Sequence, residues 1–179
     1  MKIKVITSYK PGSWDQYAKK AVDSVLQHWP EDTTITVYHE TQTQDIFEHP
    51  RLEWVDVHEV QPALVEFKNK YKDDPVANGE IQEIENGIRR PGPMPSKGSF
   101  QWNAVRFANK VFCVTHALKN SKAYDYLIWL DADTYSFRKM PSNFLHKILP
   151  SDSFVTYLGR GDQDPECGFV GYNLNHPDL

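Results

Sequence analysis

Cysteine is scarce in this chain: there are two in 179 residues, Cys113 and Cys167, and they lack the short paired spacing of zinc ligands. A disulfide framework is therefore excluded as the source of stability, and the fold has to rest on core burial. A reducing cytosol suits the two thiols, with a single bridge between them as the alternative. A strong charge imbalance is missing as well. Twenty Lys plus Arg stand against 24 Asp plus Glu, for a formal charge of −4. That leaves neither the basic surface that nucleic acid requires nor one suited to an anionic membrane. No run approaches the roughly 20 apolar residues of a membrane span. The opening MKIKVITSY places lysines where a secretory leader would be continuously apolar. The expectation is a cytoplasmic protein with no nucleic-acid partner and no transmembrane segment. A phosphate-binding G-x-x-x-x-G-K-[ST] loop, an H-E-x-x-H zinc helix and a serine-nucleophile motif are all absent.

What is present is an ordinary globular composition, 40% apolar and 25% charged with twelve prolines, in a chain long enough to bury about two-thirds of its unfolded surface. Ile3 to Thr7 alternates as a strand. SYKPGSWDQ then turns into a helix with Ser13 and Gln16 in capping-box register. Tyr17, Ala21, Val22, Val25, Leu26 and Trp29 recur at helical spacing, and Pro30 stops the run. Strands at TTITVYHE and LEWVDVH follow. The crossover length is that of a parallel pair, which marks an α/β protein. The expected architecture is one domain over 1–179, a Rossmann-like three-layer α/β/α fold with a mostly parallel, mixed sheet.

Between 61 and 98 the pattern degrades. One helix is expected after Pro62, then the turn-rich KDDPVANGE and IRRPGPMPSKG, so this region reads as an insertion or mobile loop. Order returns with a long helix whose apolar face comprises Ala104, Phe107, Ala108, Val111, Val114 and Leu118, flanked by a polar line of Asn103, Arg106 and Lys110. A strand from Tyr124 to Leu130, a helix over Pro141 to Ile148, and strands at SFVTYLG and CGFVGYNL complete the chain.

The strand YDYLIWL ends on Asp131-Ala132-Asp133. Asp is a poor strand former and is seldom buried without a partner, so two at the tip of a core strand need a reason. Alternation points both carboxylates the same way. Their mutual repulsion is relieved by a cation between or near them, and hard oxygen ligands suit Mg²⁺ or Mn²⁺. In an α/β sheet, ligands bind at the carboxyl ends of the parallel strands, where this pair would lie. A plain turn-capping role is the alternative for either residue.

The segment YLIWLDADTY resembles the D-x-D strand of the GT-A-fold glycosyltransferases, which transfer sugars from nucleoside diphosphate donors with a divalent metal. VITSY is similar to their first nucleotide-facing strand, WNAVRFANKVF to the basic helix before the motif, and ECGFVGYNL to the segment after the acceptor loop. The resemblance implies a metal-dependent glycosyltransferase with Mn²⁺ or Mg²⁺ as cofactor, a nucleotide sugar as donor and an unknown glycan, lipid, protein or small-molecule acceptor. It implies Asp133 as the direct metal ligand, with Asp131 on the ribose or on metal-bound water. Arg106 and Lys110 would steady the leaving diphosphate. Thr7, Ser8 and Tyr9 would hold base and ribose, Glu40 would grip base or ribose, and Glu166 would stand near the sugar or acceptor as a candidate general base.

Such enzymes usually continue beyond this point and many add a histidine ligand from a C-terminal segment, whereas this chain ends at NHPDL, with His176 close behind the last strand. A fragment, a shortened protein and a domain completed by another chain are all compatible with that ending. Two alternatives follow: a non-catalytic domain that binds a nucleotide sugar, and a haloacid-dehalogenase-like phosphatase. The latter also uses D-x-D after an apolar strand. It wants Thr or Val where Tyr135 stands, and it places the motif near the start of the chain.

Overall fold

The computed structural model describes residues 1–40, 46–79, 103–161 and 163–179. Six strands form one sheet in the order β3-β2-β1-β4-β6-β5. The central strand β1 (Ile3–Ser8) is flanked by β2 (Thr34–His39), which it meets in parallel with Ile6 opposite Thr36. A helical layer joins them. It begins with a π-helical turn at Trp14–Ala18 and continues as α1 (Lys19–His28). The expected capping box does not form: the Ser13 hydroxyl donates to the Lys10 carbonyl, and that carbonyl also accepts the Ser13 amide. Lys10-Pro11-Gly12-Ser13 is a β-turn with proline second and Gly12 at φ +77° third. A type II turn takes that arrangement, and it leaves Ser13 at φ −106°, ψ 8°, outside the extended geometry of a capping residue. Trp29 is extended at ψ 158°, as a residue before proline must be.

Beyond β2 lies β3 (Leu52–Asp56), also parallel. It leads through α2 (Val57–Val60) and α3 (Pro62–Tyr71) on the way to α4 (Ala104–Asn120). Asp56 caps α2 by accepting the His58 amide at 2.8 Å, and Asn103 caps α4 by accepting the Arg106 amide at 2.7 Å. From α4 the chain enters β4 (Tyr126–Leu130), parallel to β1 on its other side. After α5 (Ser142–Ile148), β5 (Val155–Arg160) and β6 (Gln163–Asn173) form an antiparallel pair, and β6 runs antiparallel to β4. The sheet is therefore mixed and mostly parallel, as the sequence indicates.

Apolar side chains bury both faces of the sheet, so the strands read as continuous hydrophobic runs. On one face Val5, Ile35 and Ile128 pack with Val22 and Val25 of α1 and Leu145 of α5. On the other, Ile6, Tyr38 and Leu127 pack with Leu64 of α3 and Ala108, Cys113, Val114 and Ala117 of α4. Leu64 is wholly buried, so order extends into the region expected to be an insertion; its part from 80 onward lies outside the described residues. The apolar stripe of α4 is rotated from its expected setting. Phe107 and Val111 are 44% and 61% exposed, whereas Ala108, Val114 and Leu118 of the expected face do pack on the sheet side, joined by the small side chains Cys113 and Ala117. Small residues let the helix axis approach the strands closely, and the rotation turns Arg106 and Lys110 over the strand ends. Both cysteines are free thiols, one buried and one exposed. Among the described residues no helix is long and apolar enough to cross a membrane.

Candidate functional site

The strand order reverses between β1 and β4, and in an open α/β sheet the crevice at the carboxyl ends of such strands is the ligand site. A cleft of about 240 Å³ opens there. Ser8, Tyr9 and Lys10 line it from the end of β1, Asp131 and Asp133 from the end of β4, and Arg106, Asn109 and Lys110 from α4. Glu40 lines it from the end of β2. Of the residues singled out in the sequence, Ser8, Tyr9, Glu40, Arg106, Lys110, Asp131 and Asp133 are thus brought together. Thr7 is not on the lining: it is 2% exposed within the sheet, because alternation along β1 turns it toward the core. Lys10, Tyr17, Asn109 and Trp129 are lining residues that the sequence reading did not assign to a site.

The two aspartates lie just past the end of β4, in a turn closed by the Thr134 amide donating to the Asp131 carbonyl at 2.9 Å. Ala132 is 6% exposed and packs in the core, bordering the cleft only at its floor between its two more exposed neighbours. The Asp131 amide donates to the Gly168 carbonyl at 2.8 Å, which ties the turn to β6. The Asp131 carboxylate is held on one oxygen, Oδ1, which accepts the indole N–H of Trp129 and lies 3.4 Å from Lys110 Nζ. The same ammonium donates to the Cys167 carbonyl and sits 5.0 Å from the centre of the Trp129 ring.

Glu166 stands behind this turn. Its Oε1 accepts the Gly168 amide at 2.9 Å, and its other oxygen pairs with Arg160 across the β5–β6 hairpin. Gly168 brings the two acids to one place: a Cβ there would lie 3.1 Å from Glu166 Oε1, 3.4 Å from Asp131 Oδ2 and 3.6 Å from Thr134 Oγ1. Asp131 and Asp133 offer hard oxygen donors to the cleft, and these fit a divalent cation of the Mg²⁺ or Mn²⁺ kind. Among the described residues no three His, Cys, Asp or Glu side chains gather closely enough to hold a metal by themselves. A cation here would complete its shell with water and ligand oxygens. His176, the histidine nearest the chain end, is paired with Asp178 at 3.6 Å and packed on Phe154.

At the opposite wall Glu40 Oε2 is 2.8 Å from Lys68 Nζ and 3.5 Å from His58 Nε2. Lys68 and His58 come from α3 and α2, and no short-range pattern links them to Glu40. Ser8 shares a hydrogen bond with the Cys113 thiol, which burial pushes well above its ordinary range. That thiol is neutral and structural rather than nucleophilic.

No family model matches the chain, and no curated protein matches it in sequence. Solved structures do. The apo crystal structure of mouse xyloside xylosyltransferase 1 superposes over 97% of this chain and 68% of its own length, with a TM-score of 0.54 and 11% identity. The apo structure of the bifunctional glycosyltransferase WbbM superposes over 97% of this chain and 32% of its own, with a TM-score of 0.53 and 11% identity. The fold is therefore one shared with glycosyltransferases.

Proposed function

We propose that the chain is a metal-dependent glycosyltransferase that moves a sugar from a nucleoside diphosphate sugar to an acceptor. The observation that carries this reading is the opening of Asp131 and Asp133 onto one cleft at the reversal of strand order, in a fold shared with glycosyltransferases. The lining carries three basic residues, Lys10, Arg106 and Lys110, against three acidic ones, Glu40, Asp131 and Asp133. Such a cleft is close to neutral by itself, so a diphosphate needs further positive charge to be held and to leave. A bound Mn²⁺ or Mg²⁺ would supply that charge, which matters most as the diphosphate separates from the sugar.

The protein groups then take the following parts. Asp133 and the free oxygen of Asp131 hold the cation. Arg106, on the first turns of α4, faces the diphosphate with a planar fork suited to two phosphate oxygens. Ser8, Tyr9 and Lys10 border the nucleoside, and Glu40 accepts from base or ribose. Glu166, fixed by Arg160 and the Gly168 amide beside Asp131, orients the sugar or the acceptor hydroxyl.

The test is calorimetry with Mn²⁺ and a set of nucleoside diphosphates on the wild type and Asp133→Ala, followed by product analysis with the matching nucleotide sugars. The expected result is Mn²⁺-dependent nucleotide binding that the variant loses with its fold intact, together with turnover of one donor. Unchanged nucleotide affinity in Asp133→Ala contradicts the reading. Binding with neither hydrolysis nor transfer identifies instead a non-catalytic nucleotide-sugar-binding domain.

A further inference from the structure

Lys110 reaches across from α4 and places Nζ 3.4 Å from Asp131 Oδ1. It is held there by two further groups, the Cys167 carbonyl and the face of the Trp129 ring. The Trp129 indole N–H donates to the same Oδ1, which fixes the carboxylate plane and keeps that oxygen aimed at the lysine. Three elements, α4, β4 and the middle of β6, thus converge to hold the ammonium against Asp131. The pair is partly buried, with side-chain exposures of 23% for Lys110 and 41% for Asp131, so water screens it incompletely.

We propose that Lys110 is the resident counter-ion of Asp131, which a divalent cation has to displace, and that the displaced ammonium passes to the diphosphate. This rests on the metal-dependent reading given above. Two positive charges cannot share one carboxylate in a half-screened cleft without strong repulsion. Lysine suits the exchange better than arginine, because its charge is a point on a flexible four-carbon stem that can swing from one anion to another. The place it swings to is the cleft itself, which it already lines together with Arg106. The consequence is thermodynamic coupling. Without nucleotide, Lys110 opposes the metal; once a diphosphate is present, the ammonium has a better partner, Asp131 is released, and metal affinity rises. By linkage the metal raises nucleotide affinity by the same factor. The bare protein therefore binds the metal weakly, and metal and donor arrive together.

The experiment titrates Mn²⁺ alone, with no nucleotide, into the wild type, Lys110→Met, Asp133→Ala and the double variant, reading free Mn²⁺ by electron paramagnetic resonance. Methionine keeps the aliphatic stem over Trp129, and Lys110→Gln serves as a second variant if the first is poorly folded. The expected result is about tenfold tighter Mn²⁺ binding in Lys110→Met, the scale of a partly exposed ion pair, with the gain abolished in the double variant. Binding in Lys110→Met that is equal to or weaker than wild type overturns the proposal, and so does a gain that survives in the double variant. In either case a loss of binding in Asp133→Ala leaves the metal-dependent reading standing. Should Asp133→Ala bind Mn²⁺ as the wild type does, that reading fails first and this one with it. Repeating the titration with a bound nucleoside diphosphate should show the nucleotide-induced gain reduced about tenfold in Lys110→Met; an undiminished gain overturns the hand-over to the diphosphate.

Discussion

The Asp131 amide donates to the Gly168 carbonyl at 2.8 Å, so the backbone of β6 sets the position of the acidic turn after β4. Gly168 also fixes Glu166 through its own amide. A methyl group there would crowd Glu166 Oε1 at 3.1 Å and Asp131 Oδ2 at 3.4 Å. Both are ends of side chains, so the neighbours yield rather than the fold. Gly168→Ala is expected to leave the melting temperature near wild type while weakening Mn²⁺ binding and lowering transfer by about tenfold to a hundredfold, the scale of a small misplacement of reacting groups. Parallel thermal melts and metal titrations check it. A large drop in melting temperature with unchanged metal affinity would show that the glycine serves packing alone.

Lys68 and Glu40 are 2.8 Å apart and each is about one-fifth exposed. Removing the ammonium leaves a largely buried carboxylate with His58 Nε2 at 3.5 Å, and its direction in the cleft becomes less defined. Lys68→Met is expected to weaken nucleoside diphosphate binding by about tenfold without altering Mn²⁺ binding to the metal alone. Isothermal titration of the two ligands separately distinguishes this from general damage, which would weaken both.

Much of this arrangement was legible in the chain because it is written in short-range patterns. The strand periodicities of Ile3–Ser8 and Tyr126–Leu130 and the helical stripe of Ala21, Val22 and Val25 identify the layers. An Asp pair ending an apolar strand marks the cleft. The local chemistry at Ser13 was misleading, because Pro11 and Gly12 impose a turn that takes the hydroxyl. Ala108 and Val114 of the expected α4 stripe face the sheet, but Phe107 and Val111, which carry the right hydrophobicity at the right spacing, do not. Sequence periodicity cannot show that small Cys113 and Ala117 would be chosen to face the sheet. Lys68 and Arg160 escaped notice for a different reason: their partners Glu40 and Glu166 meet them through tertiary contact.

Gly171 lies where β6 crosses beneath α5. A Cβ there would come within 2.5 Å of Leu149 Cδ2, and Leu149 is 2% exposed, so the contact is with a packed side chain that has little room to move. Gly171→Ala is expected to destabilise the fold by about 1–3 kcal/mol, the usual cost of overpacking. Leu149→Ala should offset part of that loss, since it removes the atom that clashes. Denaturant unfolding of the two single variants and the double variant measures the coupling. Strict additivity would refute the clash as the cause.

His116 Nδ1 lies 2.8 Å from the Tyr38 hydroxyl on the side of the sheet covered by α4. Burial holds its pKa below the usual histidine value; Glu53 opposes that shift, while Lys4 and Lys119 reinforce it. Burial also drives the Tyr38 hydroxyl far above its ordinary range, so it remains neutral beside the ring. A histidine whose folded pKa is depressed supports the fold fully while both states are neutral, above its unfolded value. As the pH falls through that value, the unfolded chain takes up a proton that the folded one resists, and stability declines. The Glu53 carboxylate titrates lower. Burial works to raise its pKa, but hydrogen bonds from Lys4 and Thr36 outweigh it, so its contribution is lost further into the acid range. Lowering the pH from about 7.5 to about 5.5 should therefore expose the histidine effect by itself. The unfolding free energy is expected to fall over that interval, and His116→Gln, which cannot take up the proton, should show a smaller fall. Equal losses in the two proteins would assign the acid sensitivity to other groups.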